Sequence, residues 1–128
     1  MVVDTSALIA ILAGEPDAVD HGRAIAGAVA PAMSAASYVE LMIIALSRAL
    51  AGRAEVEEML KDAQIELVPV SIDHARFAVA AFDRFGKGRH PAKLNFGDCF
   101  AYALAKERGE PLLFKGEDFA RTDLVPAL

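Results

Sequence analysis

The chain of 128 residues fits one domain spanning residues 1–128 and argues against two. Its composition, 55% hydrophobic and 24% charged, excludes intrinsic disorder, and the Ala-rich, Gly/Pro-poor segments favour a helix-rich domain over an all-β one. The net charge of −5 disfavours broad electrostatic binding to nucleic acid, and the single cysteine, Cys99, excludes a disulfide framework or a Cys-cluster zinc site.

Met1 to Asp4 reads as a short strand ending in a carboxylate, followed by a brief helix around Leu8 to Leu12 that stops at Gly14 and Pro16. Asp17 to Ala28 is helical, and Pro31 to Ser34 is a short extended piece. A strongly apolar helix runs from Ser37 to Leu50, and a second, with Glu55, Glu57, Glu58 and Lys61 facing water, from Arg53 to Ala63. Ile65 to Val70 is a strand. Asp73 to Phe85 is helical, with Phe77, Ala78, Ala81, Phe82 and Phe85 as a core-facing stripe. After a loop from Gly86 to Leu94, a helix from Phe96 to Arg108 closes at Gly109. Pro111 to Phe114 is a buried-type strand, and Asp123 to Val125 is a last extended piece. Strands alternating with helices predict a mainly parallel sheet covered on both faces, a three-layer α/β/α domain.

The opening Met1-Val2-Val3-Asp4 puts a carboxylate where a secretory leader has its basic and apolar regions. The longest apolar run, Leu41 to Leu46, has six residues, against about 18–20 for a membrane span. The expectation is a soluble, cytoplasmic protein with no membrane partner.

In open parallel sheets the ligand crevice lies beyond the carboxyl ends of the strands. Asp4, Glu40, Asp98 and Asp118 fall there, at strand ends or on the first turns of the helices that follow. Each also has an ordinary structural use. Asp4 caps a short helix; Ser37 to Glu40 and Asn95 to Asp98 both match a capping box; Asp118 sits in a turn beside Glu117. As a group they need more than that. Carboxylates about 5 Å apart repel by roughly 3 kcal/mol per pair at an effective dielectric near 20, so such a cluster persists by binding protons or cations. Oxygen donors without His or Cys select Mg²⁺ or Mn²⁺, and such a site supports phosphodiester cleavage.

Val2 to Leu8, the helix bearing Glu40, Leu94-Asn95-Phe96-Gly97-Asp98-Cys99 and Leu113-Phe114-Lys115-Gly116-Glu117-Asp118-Phe119 together resemble the PIN-domain ribonucleases. The resemblance is to their VapC type, the toxin half of prokaryotic toxin–antitoxin pairs. It runs through the chain in order, with the four acids 36, 58 and 20 residues apart. It implies Mg²⁺-dependent (or Mn²⁺-dependent) endonucleolytic hydrolysis of single-stranded or loop RNA, inhibition by a VapB-like antitoxin, and a homodimer. It also implies roles. Asp4 and Asp98 are central metal ligands, Glu40 and Asp118 the outer acids, and Ser6 and Asn95 orient neighbouring carboxylates. Asp118 is preferred to the adjacent Glu117 because the Asp118-Phe119 pair fits the family pattern.

The stretch from Arg84 to Lys93 carries no acid, and Lys87, Arg89 and Lys93 are the candidate RNA-backbone contacts. Two other readings compete. A haloacid-dehalogenase-like phosphotransferase wants a second Asp two residues after the first, where this chain has Ser6. A catalytically inactive PIN-fold binding module predicts loss of one or more of the four acids, and all four are present.

Overall fold

The computed structural model describes all 128 residues. Its centre is β1 (Val2–Val3), whose β-branched side chains point to opposite faces of a sheet and are both fully buried. The chain continues through α1 (Thr5–Leu12), α2 (Ala18–Gly27), β2 (Ala32–Ser34), α3 (Ala35–Ser47), α4 (Arg53–Asp62) and β3 (Glu66–Val68). It then forms α5 (Ile72–Phe85), α6 (Phe96–Arg108), β4 (Leu112–Leu113) and a 3₁₀ turn at Phe119–Arg121. The strands pair in the order β3-β2-β1-β4, all parallel, with Val2 opposite both Ala32 and Leu112.

The pleat sorts the core. Val2 and Leu112 face Ala81, Phe85 and Leu104 of α5 and α6, whereas Val3, Met33 and Leu113 face Leu8, Leu41 and Leu60 of α1, α3 and α4. The two cores hold 14 and 13 buried residues, so neither face of the sheet is left to solvent. Each fully buried Leu or Val there contributes about 1.5–3 kcal/mol. This is the expected three-layer α/β/α architecture. From β1 the chain builds outward to β2 and β3 and returns to place β4 on the other side of β1. That reversal puts a crevice beyond the carboxyl ends of β1 and β4.

Several elements differ from the sequence reading. Ser34, ending β2 in extended geometry, accepts from the Ala36 amide at 3.3 Å and starts α3 at Ala35, two residues before Ser37. The Ser37 to Glu40 capping box therefore does not form, because Ser37 is already inside the first turn. β3 shortens to three residues at the sheet edge. On α5 the stripe is narrower: Ala78, Ala81 and Phe85 are buried, but Phe77 and Phe82 are 42% and 39% exposed. Spacings of three and four carry the first three inward, and the two phenylalanines stand on the flanks of that face. Extended chain near the C-terminus bridges Pro126 to Leu112 in parallel.

Candidate active site

Asp4 stands at the carboxyl end of the central strand, where its amide donates to the Leu113 carbonyl at 2.9 Å. It also caps α1: Oδ2 accepts from the Ser6 amide at 3.0 Å and from the Ser6 hydroxyl at 2.6 Å. The Ser6 oxygen accepts in turn from the Lys115 amide at 2.9 Å, so the loop after β4 fixes the carboxylate's orientation through Ser6. The other oxygen, Oδ1, is buried and has no hydrogen-bond partner. An unpaired acceptor on a side chain only 3% exposed is costly unless something occupies it.

Glu40 lies in the second turn of α3 and reaches across to α6. A Cβ built on Gly97 would meet Glu40 Oε1 at 2.5 Å, so the absence of a side chain at Gly97 makes room for this carboxylate. Asp98, the next residue, forms the capping box the sequence predicts. Its carboxylate accepts from the Asn95 amide at 2.8 Å, and Asn95 accepts from the Asp98 amide at 3.0 Å. Asp4, Glu40, Asp98, Ser6 and Asn95 all line one crevice of about 320 Å³.

The crevice resists ionisation. Burial is the leading cause for all three acids, raising Asp4 and Glu40 above the ordinary carboxylate range and Asp98 to about 7. Repulsion adds to it: Asp4 acts on Glu40, and both act on Asp98. The opposing influences are hydrogen bonds from Ser6, Thr5 and Asn95, and no cation of the protein relieves any of the three. Lys115 lines the same crevice, but its ammonium is held by Glu15 and by Asp17, the latter at 2.9 Å.

Asp118 is exposed, just ahead of the 3₁₀ turn, and does not line the crevice. Its charge nevertheless raises both Asp4 and Asp98, whereas Glu117 acts on neither. The basic loop stands apart. Lys87, Arg89 and Lys93 surround a separate open hollow with His90, and Arg89 is engaged by Asp83 at 3.5 Å and by the Phe82 ring. Cys99 is buried, and its thiol donates to the Asn95 carbonyl at 3.1 Å; burial pushes it up to about 11, outside any reactive range. Thr5, Lys115 and Arg48 also line the crevice: Thr5 and Lys115 lie within segments that carry the family resemblance, whereas nothing in the spacing of the Glu40 helix marks Arg48.

No three His, Cys, Asp or Glu side chains converge as a ready-made metal cage. Mg²⁺ needs no such cage, since it keeps several waters and takes only one or two protein carboxylates. The orphaned Asp4 Oδ1, the all-oxygen donors and the uncompensated charge fit a hard divalent cation.

Over residues 1–125 the sequence matches the PIN domain family. It is 52% identical over 126 residues to a protein named Ribonuclease VapC from Mycolicibacterium smegmatis, covering 98% of both chains. It is 49% identical to Ribonuclease VapC30 of Mycobacterium tuberculosis, covering 98% of this chain and 96% of that one. The chain belongs to the VapC branch of the PIN-domain family. Solved structures agree in fold at a TM-score of 0.76. One is a toxin–antitoxin complex from Klebsiella pneumoniae, 22% identical over 99% of this chain and 97% of that one. Another is M. tuberculosis VapC20, described as a sarcin-ricin loop cleaving toxin, 20% identical over 97% of this chain and 95% of that one.

Proposed function

We propose that this chain is a Mg²⁺-dependent endoribonuclease, with Mn²⁺ as a substitute, which hydrolyses phosphodiester bonds in single-stranded or loop RNA. The observation that carries the reading is the crevice itself: three partly or fully buried carboxylates, one with an orphaned oxygen, and no cation to balance them. Its relatives' names and the toxin–antitoxin complex among its structural neighbours support an RNA substrate and a VapB-like antitoxin partner. The reading places the protein in the cytoplasm; no helix is long and apolar enough to cross a membrane. It also pairs the chain as a homodimer, which the exposed apolar side chains Val39, Ile43, Phe77 and Phe96 favour.

In this reading Asp4 and Asp98 hold the cation, and Glu40 and Asp118 complete its surroundings directly or through water. When bound, the cation supplies acidified water and stabilises charge on the attacked phosphate and the leaving oxygen. Ser6 keeps Asp4 Oδ2 turned by donating to it, which leaves Oδ1 free. Asn95 holds the Asp98 carboxylate against the start of α6, and that carboxyl releases its proton when the site is loaded. Purified protein should cut a single-stranded RNA with Mg²⁺ and lose that activity in EDTA. Full activity in EDTA, or none with Mg²⁺ or Mn²⁺ on any single-stranded or hairpin RNA, would overturn the reading.

Gly97 offers a separate check. Gly97→Ala puts a methyl group where the Glu40 carboxylate lies, and the flexible end of Glu40 gives way. Cleavage should fall about tenfold or more, within the range for groups that position metal ligands. Stability should hold or rise, since Ala is favoured over Gly in a helix by up to about 1 kcal/mol. Cleavage rate and melting temperature measured on one preparation separate the two effects.

The basic loop is the proposed route for the RNA backbone. Neutralising Lys87, Arg89 and Lys93 together should flatten the salt dependence of RNA binding by roughly two units if all three meet phosphates, with turnover at saturation affected less. An unchanged slope would make the loop a solvated tether.

A further inference from the structure

Arg48 ends α3, two turns beyond Glu40. Positions 40, 44 and 48 repeat every four residues, so Glu40, Ile44 and Arg48 share a face, and all three line the acidic crevice. Eight residues of helix span about 12 Å, which sets the Arg48 backbone at one end of the crevice and the Glu40 carboxylate within it. Arg48 is exposed and pairs with no carboxylate, unlike Lys115, the other cation of the crevice. No salt bridge engages its guanidinium, so its charge is unspent inside the protein. A cation at a helix C-terminus is favourable wherever it points. That preference does not account for its place on the wall of a crevice otherwise rich in negative charge.

We propose that Arg48 sets the register of the substrate by gripping a phosphate that flanks the scissile one, which it does through the two parallel N–H···O bonds a guanidinium offers. The proposal rests on the ribonuclease reading and adds a polarity to it. The three carboxylates of the crevice repel a polyanion, and one unpaired cation at one end lets RNA enter in a single direction. Arg48 touches the substrate but not the reacting atoms. Its loss should therefore raise KM far more than it lowers kcat.

The test uses Asp4→Asn protein as a non-cleaving binder and a single-stranded RNA decamer, with one phosphate at a time replaced by a neutral methylphosphonate. With Arg48 present, one replacement should weaken binding by about tenfold, the range of a charge-assisted contact. Adding Arg48→Gln should weaken binding of unmodified RNA by a similar factor and lower its salt slope by about 0.7. At the sensitive position it should cause no further loss, and Arg48→Lys should recover part of the affinity. Unchanged affinity and slope in Arg48→Gln, an equal loss at every position, or no RNA binding with Arg48 intact would each overturn the proposal. Mg²⁺-dependent cleavage by protein retaining Asp4 reports on the ribonuclease reading separately.

Discussion

Asp4→Asn is expected to reduce RNA cleavage by more than about a hundredfold, above the range seen when only an outer partner of a metal site is lost. The fold should survive. Asn caps a helix as well as Asp does, so the hydrogen bond that starts α1 is kept, and the side-chain volume is unchanged. The metal-free variant should even melt higher than the metal-free parent, because one member of a mutually repelling set becomes neutral. Mg²⁺ should then raise the melting temperature of the parent and not of the variant. The pairing of lost activity with retained or increased stability distinguishes a ligand from a structural residue. A variant that melts lower and cleaves in proportion to its folded fraction would assign Asp4 to capping alone.

Asp98 makes the metal-free protein sensitive to pH in an unusual direction. Its carboxyl titrates near 7 in the fold, against an ordinary value of 3.8. Between those values the folded form holds a proton that the unfolded form has released. Stability therefore declines as pH rises through this window, and the loss is complete above about 7. Asp4 and Glu40, both raised, act in the same direction. Cation and proton compete for the same oxygens, so Mg²⁺ affinity should climb as pH rises toward 7 and level off above it. Asp98→Asn should flatten the stability profile between about pH 4 and 7 while keeping the cap, since an amide oxygen also accepts from the Asn95 amide. Melting curves across pH, with EDTA present, read this directly. Stability rising from pH 4 to 7 in the parent would contradict the account.

The layers, the parallel sheet and the three crevice acids were legible in the sequence because each rests on a local signal: apolar pairs for buried strands, Gly109 for a helix stop, Asn95 and Asp98 for a helix start. Asp98 shows why such signals underdetermine function, since the structure keeps its capping box and places the same carboxylate in the crevice. Ser37 shows the opposite. Its spacing to Glu40 imitates a cap, but Ser34 comes earlier and ends a strand in the geometry a cap needs, so the helix starts there. Glu40 is thereby freed for the crevice. Arg48 left no trace in the sequence because its place depends on which face of α3 meets the site, and the bond from the Lys115 amide to Ser6 depends on the chain reversal that sets β4 beside β1. The basic loop lines an open hollow of its own, beside the crevice rather than within it. Nearness to Asp98 along the chain does not bring Lys87 or Lys93 into the crevice, because Leu94 and the Gly86–Leu94 bridge tie the loop to the end of α5.

Calorimetric titration of Mg²⁺ into the purified protein reads whether these carboxylates bind the divalent cation that the chemistry requires. At pH 6.5, in two buffers of different ionisation heat, binding should release protons, because Asp98 is largely protonated there; at pH 8.5 the release should be smaller, because Asp98 is then ionised before the cation arrives. Asp4→Asn should remove the binding heat together with the cleavage activity. Binding of equal affinity in the parent and in Asp4→Asn, with no proton released at pH 6.5, would place the cation elsewhere and contradict the account.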